Sequence, residues 1–275
     1  AEIQFANSNK EEGIKNLKKA LEIKPDIVEA QRALIMVAME NKNTKNAIDI
    51  ARTVQKQRPK EAIGYLLEGD IHALGKAWPE TINALRNGLK QIAAPELAIK
   101  LDGSLIASGN NAEAEKVAGT WLKEHPKDIA FRMYLGDRAT RQKNFAQAVN
   151  HYQAALDLQP NNALILNNLA WASGQTKSPK ALDYAEKANQ IAPDQPAFMD
   201  TLAMLLADKG ETTKAVELLR KALSTAPQAS AIQLNLAKVL ITSGKKDEAR
   251  KELDALAKMG DKFPSQAEVS QLLKS

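Results

Sequence analysis

The chain has 275 residues, a formal net charge of +5 from 38 basic and 33 acidic side chains, 44% hydrophobic and only 4% aromatic residues, and no cysteine. An Ala/Leu-rich, aromatic-poor composition suits closely packed helices and disfavours a β-sandwich, which draws on Val, Ile, Thr and aromatics. The absence of cysteine excludes a disulfide framework, thiol catalysis and Cys-based zinc sites. No apolar run of transmembrane length and no signal peptide is present in these residues. Residues 1–60 carry 12 basic and 8 acidic side chains, so +4 of the net +5 lies there. Lys15, Lys18 and Lys19 alternate with Glu11, Glu12 and Glu22, the pattern of a solvated helix face rather than a nucleic-acid patch.

Prolines set a register along the chain. Pro25 and Pro59 are 34 residues apart, as are Pro126 and Pro160, while Pro160 and Pro193 are 33 apart and Pro193 and Pro227 again 34. Pro59 and Pro126 are 67 apart, two such periods with one proline lost near Ala93. Each proline marks a place where one helix has ended and the next is about to start. Counting from a proline, +9 is large and apolar (Leu34, Leu135, Leu202, Leu236), and +10 and +22 are small (Gly136 and Ala148, Ala203 and Ala215, Ala237 and Ala249). Position +26 is Tyr152 or Leu219, and +17 is Gly109, Gly210 or Gly244 where a first helix should end in a left-handed turn. Small residues at +10 and +22 allow the two helices of a repeat to cross closely.

In chain order, this predicts a truncated N-terminal repeat at 1–27, then repeats at 28–61, 62–94, 95–128, 129–162, 163–195, 196–229 and 230–260. Residues 62–94 form a degenerate repeat, with Thr81 and Gly88 in place of alanines and Pro79 in the first turn of its second helix, where proline is tolerated. Residues 261–275 should hold a capping helix with Ser265 as N-cap and Glu268 three residues on, its Val269, Leu272 and Leu273 covering the last repeat. Because the chain opens with Ala1 in the middle of a repeat, a fragment of a longer protein is expected.

A helix–turn–helix unit of about 34 residues with this pattern resembles the tetratricopeptide repeat (TPR) family over nearly the whole chain. The resemblance implies an all-α fold, a right-handed α-α superhelical solenoid of TPR repeats with a C-terminal capping helix. It also implies a non-catalytic scaffold whose first helices line a concave groove, with side chains near +7, +8 and +11 pointing into it. In this sequence those are Asn167, Asn168 and Trp171; Asp200, Thr201 and Met204; and Asn235 and Lys238. An amide both donates and accepts, so asparagines can pair with the main chain of an extended peptide whatever its sequence, and Trp171 offers a flat apolar contact. The competing reading makes these asparagines partners of neighbouring helices and Trp171 part of the core. Earlier repeats carry Ala33, Leu67, Lys100 and Tyr134 at +8, and the basic clamp of chaperone-tail receptors is not assembled.

Nothing in the sequence points to catalysis, a cofactor or a metal. His72, His125 and His151 lie in different repeats, and no GxSxG, GxxxxGK[ST], HExxH or calcium loop occurs. Trp78, Trp121 and Trp171 are not interleaved with basic residues as nucleic-acid stacking would require, and no nucleic-acid partner is expected.

The segments LNNLAW (166–171), ALDYAEKANQIAPD (181–194), DTLAMLLADKG (200–210), KAVELLRKALSTAP (214–227), NLAKVLITSGKKDEARKELDAL (235–256) and FPSQAEVSQLL (263–273) resemble the C-terminal part of bacterial TPR lipoproteins encoded with PEP-CTERM/exosortase and exopolysaccharide systems, the PrsT-like family. That resemblance implies a periplasmic, outer-membrane-associated scaffold for export or polysaccharide assembly, reaching the membrane only through an N-terminal anchor outside these residues. Two alternatives stand beside it: a module that contacts an anionic polysaccharide itself, and a cytoplasmic adaptor.

The close-crossing requirement has a direct consequence. Ala148→Leu or Ala215→Leu should overpack its helix pair and cost about 1–3 kcal/mol in chemical denaturation; an unchanged midpoint would show that the helices do not meet at these positions.

Overall fold

The computed structural model describes residues 10–274. The described residues contain sixteen α-helices, one 3-10 turn and no strand. They form two compact units, one ending at Phe131 and one beginning at Arg132. The first holds α1 (Lys10–Ile23), α2 (Val28–Glu40), α3 (Thr44–Gln57), α4 (Ile63–Leu74), α5 (Trp78–Gln91), α6 (Pro95–Ala107) and α7 (Asn111–Glu124). The division falls inside α8 (Ile129–Arg141), and the second unit continues with α9 (Phe145–Leu158), α10 (Ala163–Gln175), α11 (Ala181–Ile191), α12 (Pro196–Asp208), α13 (Thr212–Thr225), α14 (Ser230–Thr242), α15 (Lys246–Ala257) and α16 (Gln266–Leu272). The fold is all-α. Of the truncated N-terminal repeat, residues 1–9 lie outside the described residues, and the remainder supplies α1.

Small residues sit where helices cross. Ala148, Ala203, Ala215 and Ala237 are fully buried, and Ala249 nearly so. At Gly136 a Cβ would come within 2.6 Å of Tyr152 Cδ1, closer than carbon atoms can approach, so glycine at +10 is what admits tyrosine at +26. The degenerate repeat closes differently. Thr81 is fully buried and its hydroxyl donates to the Ala77 carbonyl at 2.9 Å, satisfying itself within α5. Gly88 admits Tyr65, whose Cβ lies 2.8 Å from where a glycine Cβ would be. Leucines fill the space beside these crossings: Leu85, Leu97, Leu101 and Leu105 in the first unit, Leu202, Leu206, Leu219, Leu236 and Leu240 in the second.

The link between the two helices of a repeat has one form throughout. The residue at +17 has positive φ, and the next residue's N–H reaches back five residues to a carbonyl of the first helix: Asn43 to Ala38 at 2.8 Å, Asn110 to Leu105 at 2.8 Å, Asn144 to Ala139 at 2.9 Å, Glu211 to Leu206 at 2.9 Å. This satisfies carbonyls that a helix end leaves unpaired. Asn43 and Asn144 then cap the second helix, their side chains accepting from the N–H of Asn46 and Gln147. Gly109, Gly210 and Gly244 occupy the left-handed position as expected, with φ from 78° to 85°. The other four turns place lysine there: Lys42, Lys76, Lys143 and Lys177, with φ between 54° and 58°.

At the C-terminal end, Phe263 and Val269 pack with Leu234, Leu253 and Leu256, so α16 covers the apolar end of the last helix pair. The expected capping box is not formed. Ser265 stands at the N-cap without a side-chain bond, and Glu268 is drawn to Lys238 at 2.5 Å. Gln266 holds the segment instead, its amide donating to the Leu256 carbonyl at 2.7 Å.

A left-handed lysine costs about 1–2 kcal/mol relative to the right-handed region, a penalty glycine escapes. Lys42→Gly and Lys76→Gly should therefore each raise the unfolding free energy, by up to about 1 kcal/mol once glycine's greater unfolded-state entropy is deducted, whereas Lys42→Ala should give no gain. Denaturant melts of the three variants check this, and equal behaviour of the Gly and Ala variants would contradict it.

Candidate protein-binding surface

The sequence-predicted groove residues all lie in the unit 132–274, on α10, α12 and α14. These three first helices are neighbours, α12 touching both α10 and α14. Offsets of +7, +8 and +11 place side chains on one helical face, and the side-by-side helices bring six of the eight residues onto one surface, Asn167 and Thr201 being buried.

The surface is more internally bonded than free amides would be. Asn235 donates both side-chain N–H bonds to Asp200, at 2.9 Å to Oδ1 and 3.1 Å to Oδ2, linking α14 to α12. The Tyr152 hydroxyl donates to Asp137 Oδ1 at 2.6 Å, linking α9 to α8. Lys238 is paired with Glu268. Thr201 is 7% exposed and its hydroxyl donates to the Ala197 carbonyl at 3.1 Å, so it faces its own helix. Asn167 is 9% exposed; its Nδ2 makes a long 3.4 Å bond to Asn168 Oδ1, and its own carbonyl oxygen is buried without a donor. That orphan acceptor costs about 1–3 kcal/mol. Asn168, half-buried, is therefore the asparagine of the pair that a partner can reach.

Trp171 is 39% exposed and meets the Phe145 ring edge-to-face at a centroid separation of 5.5 Å. One side of the indole is fixed and the rest faces solvent, the disposition of an anchor in a protein interface. Met204, partly buried against the core at the same register one repeat on, extends the apolar strip.

The first unit has the same kind of link between repeats, Lys100 pairing with Asp70 at 2.5 Å, and at the Trp171 register it exposes Met36. It also holds a concavity that the sequence reading did not anticipate. A groove of about 470 Å³ lies among α5, α6 and α7, lined by Leu89, Ala93, Leu101, Val117 and Trp121, with Arg86 and Glu113 paired across its rim. Trp121 is held at its edge, donating from Nε1 to Asp128 Oδ2 at 2.7 Å and lying 4.1 Å from the His125 ring. The one sequence signal for it is the proline missing at Ala93.

Burial and the nearby Arg132 and Arg138 push the His151 pKa below its ordinary value, so the imidazole is neutral at neutral pH. Burial and the bond to Asp137 raise that of Tyr152. Among the described residues no group of three His, Cys, Asp or Glu side chains is placed to hold a metal, and no helix is long and apolar enough to cross a membrane.

Comparison with known proteins agrees with the architecture. Family models described as "TPR repeat" and "Tetratricopeptide repeat" match residues 136–175 and 206–274. A TPR repeat-containing protein of Pseudomonas aeruginosa is 28% identical over 137 residues, 46% of this chain; the match spans 22% of that protein's length. Among solved structures, the APC/C hetero-tetramer Cut9–Hcn1 aligns with 99% of this chain and 54% of its own at a TM-score of 0.61 and 16% identity. Pseudomonas aeruginosa pilF aligns with 75% of this chain and 95% of its own (TM-score 0.57, 18% identity). The Thermus thermophilus TPR protein TTC0263 aligns with 66% of this chain and all of its own (TM-score 0.55, 19% identity). At these identities the structural likeness is one of fold.

The Asp200–Asn235 link has a pH signature. Burial raises the Asp200 pKa, while the Asn235 bonds and Lys238 pull it down without cancelling the rise. The folded state thus binds this proton more tightly than the unfolded state, and stability falls as pH climbs from the ordinary carboxylate range through the raised value. Asp200→Asn keeps an acceptor for Asn235 and removes the charge. Its melting temperature relative to wild type should be highest at neutral pH, and the difference should shrink toward about pH 4. A difference independent of pH would contradict the assignment.

Proposed function

We propose that this chain, in which residues 136–175 and 206–274 match tetratricopeptide repeat models, is a protein-binding scaffold without catalytic work, which takes an extended peptide segment of a partner across α10, α12 and α14. The carrying observation is the Trp171–Met204 strip: an indole fixed on one side by Phe145 and open on the other, continued by a methionine at the same register of the next repeat. Around it, Asn168 and the carbonyl oxygen of Asn235 supply the polar capacity that main-chain groups need. Tetratricopeptide repeat proteins are generally non-catalytic scaffolds, and the groups seen here serve packing and links between repeats.

The finer part of the proposal is the setting. The resemblance of residues 163–273 to TPR lipoproteins of PEP-CTERM and exopolysaccharide systems supports a role in bacterial envelope export or exopolysaccharide assembly. The full-length protein would then be periplasmic and outer-membrane-associated. The bacterial relative matched over 137 residues is compatible with this setting and does not specify it.

A partner at this surface needs apolar anchors, because a typical net hydrogen bond gives only about 0.5–1.5 kcal/mol while micromolar affinity requires about 8 kcal/mol. In capture from a bacterial envelope extract, wild type should retain a protein that Trp171→Ala loses, with affinity for the purified partner reduced by about 2 kcal/mol or more. Asn168→Ala/Asn235→Ala should weaken binding and also lower the melting temperature, since Asn235 bonds Asp200 on the neighbouring first helix. Equal capture by Trp171→Ala would place the binding surface elsewhere.

A further inference from the structure

The turns between the two helices of each repeat carry a charge pattern that packing does not explain. In the unit 132–274, segments 141–145, 175–181, 208–214 and 242–247 hold eight basic and three acidic side chains, net +5, while residues 132–275 as a whole carry 19 basic and 15 acidic, net +4. The turns on the opposite edge, 159–162, 192–195, 226–229 and 258–265, hold two acidic residues, Asp194 and Asp261, and two basic ones, Lys258 and Lys262, net zero. The positive charge of this unit is thus concentrated along one edge.

Part of this placement has a local reason. Cations near the C-terminal end of a first helix complement its dipole, which covers Lys143, Lys177 and Lys209. Other members oppose the dipole: Lys180 and Lys245 occupy the N-cap positions of α11 and α15, and Lys246 is the first residue of α15. A cation at a helix N-terminus is destabilising. Lys143 and Lys177 also take positive φ, where glycine would be cheaper and is used in the next two repeats. Lysines Lys143, Lys177, Lys180, Lys209 and Lys245 are all exposed. The fold thus carries a row of cations whose placement costs it stability, a distribution that points to a ligand.

The chemistry of the row narrows the ligand. Charges recurring once per repeat fit a linear polyanion rather than a compact anion. Seven of the eight cations are lysine, a point charge, whereas recognition of phosphate favours the arginine fork. None of the exposed large apolar side chains lies in these turns, so nothing there would insert into a bilayer or seat the side chains of an acidic peptide. No turn offers an exposed aromatic platform for nucleic-acid bases. We propose that the helix–turn edge formed by residues 141–145, 175–181, 208–214 and 242–247 binds a linear anionic polysaccharide, its carboxylates paired with lysines of successive turns. This edge is distinct from the Trp171–Met204 strip, so either surface can fail its test without deciding the other.

The test uses the 275-residue chain and polygalacturonate, a linear polymer with a carboxylate on each sugar, followed by titration calorimetry at low salt. Wild type should bind saturably, with affinity falling as salt is added. The variant Lys143→Gln/Lys177→Gln/Lys209→Gln/Lys245→Gln, checked for unchanged circular dichroism, should bind about tenfold or more weakly. Neutral dextran should not bind, and Trp171→Ala should bind polygalacturonate as wild type does. The proposal is overturned by no binding in wild type, by equal binding of the quadruple variant, or by tighter binding to poly-glutamate or to phosphatidylglycerol vesicles than to polygalacturonate.

Discussion

The closeness of two helices inside each repeat is the constraint on which the rest depends. Gly136 leaves room for the Tyr152 ring, and the fully buried Ala148, Ala203 and Ala215 occupy the same kind of position elsewhere. That approach positions the leucines that form the cores, and it holds α10, α12 and α14 beside one another. Because the same offset in every repeat then points the same way, a surface with a repeating register follows from packing. Function can use that register without altering the core, and in this chain two different rows are available: the +7, +8 and +11 positions, and the turns at +16 to +18.

Polar contacts between repeats do a second job. Lys100–Asp70 and Asn235–Asp200 each join a first helix to the preceding repeat. Ion pairs between exposed side chains contribute little on their own, but the Asn235–Asp200 link is half-buried, where leaving one member unpaired is costly. The surface offered to a partner is therefore already organised. The same organisation limits what asparagine can contribute to binding and leaves Trp171 and Met204 as the main sources of affinity.

The all-helical repeat architecture was legible because its signals are local and recur: a proline every 33 or 34 residues, small residues at +10 and +22, glycine at +17. What was not legible depended on groups distant in sequence or on conformations without a local signature. Lysine is not a marker of left-handed backbone, so the turns at Lys42, Lys76, Lys143 and Lys177 left no trace beyond their matching offset from a proline. Ser265 and Glu268 have capping-box spacing, but Lys238 competes for the glutamate from 30 residues away. Thr201 and Asn167 have the right offsets for the groove and are turned inward by contacts that spacing does not reveal. The apolar groove beside Trp121 arises where a proline has been lost, a signal that only an absence carries.

The claim that the first helices of residues 163–242 form the protein-binding surface is tested most directly by amide hydrogen exchange on the chain with and without a purified partner. Added protection at the exchanging ends of α10, α12 and α14 and at side-chain-contacting positions around Trp171, with α11, α13 and α15 unchanged, is the expected result. Protection confined to α11, α13 and α15 would place the partner on the other face and contradict the account.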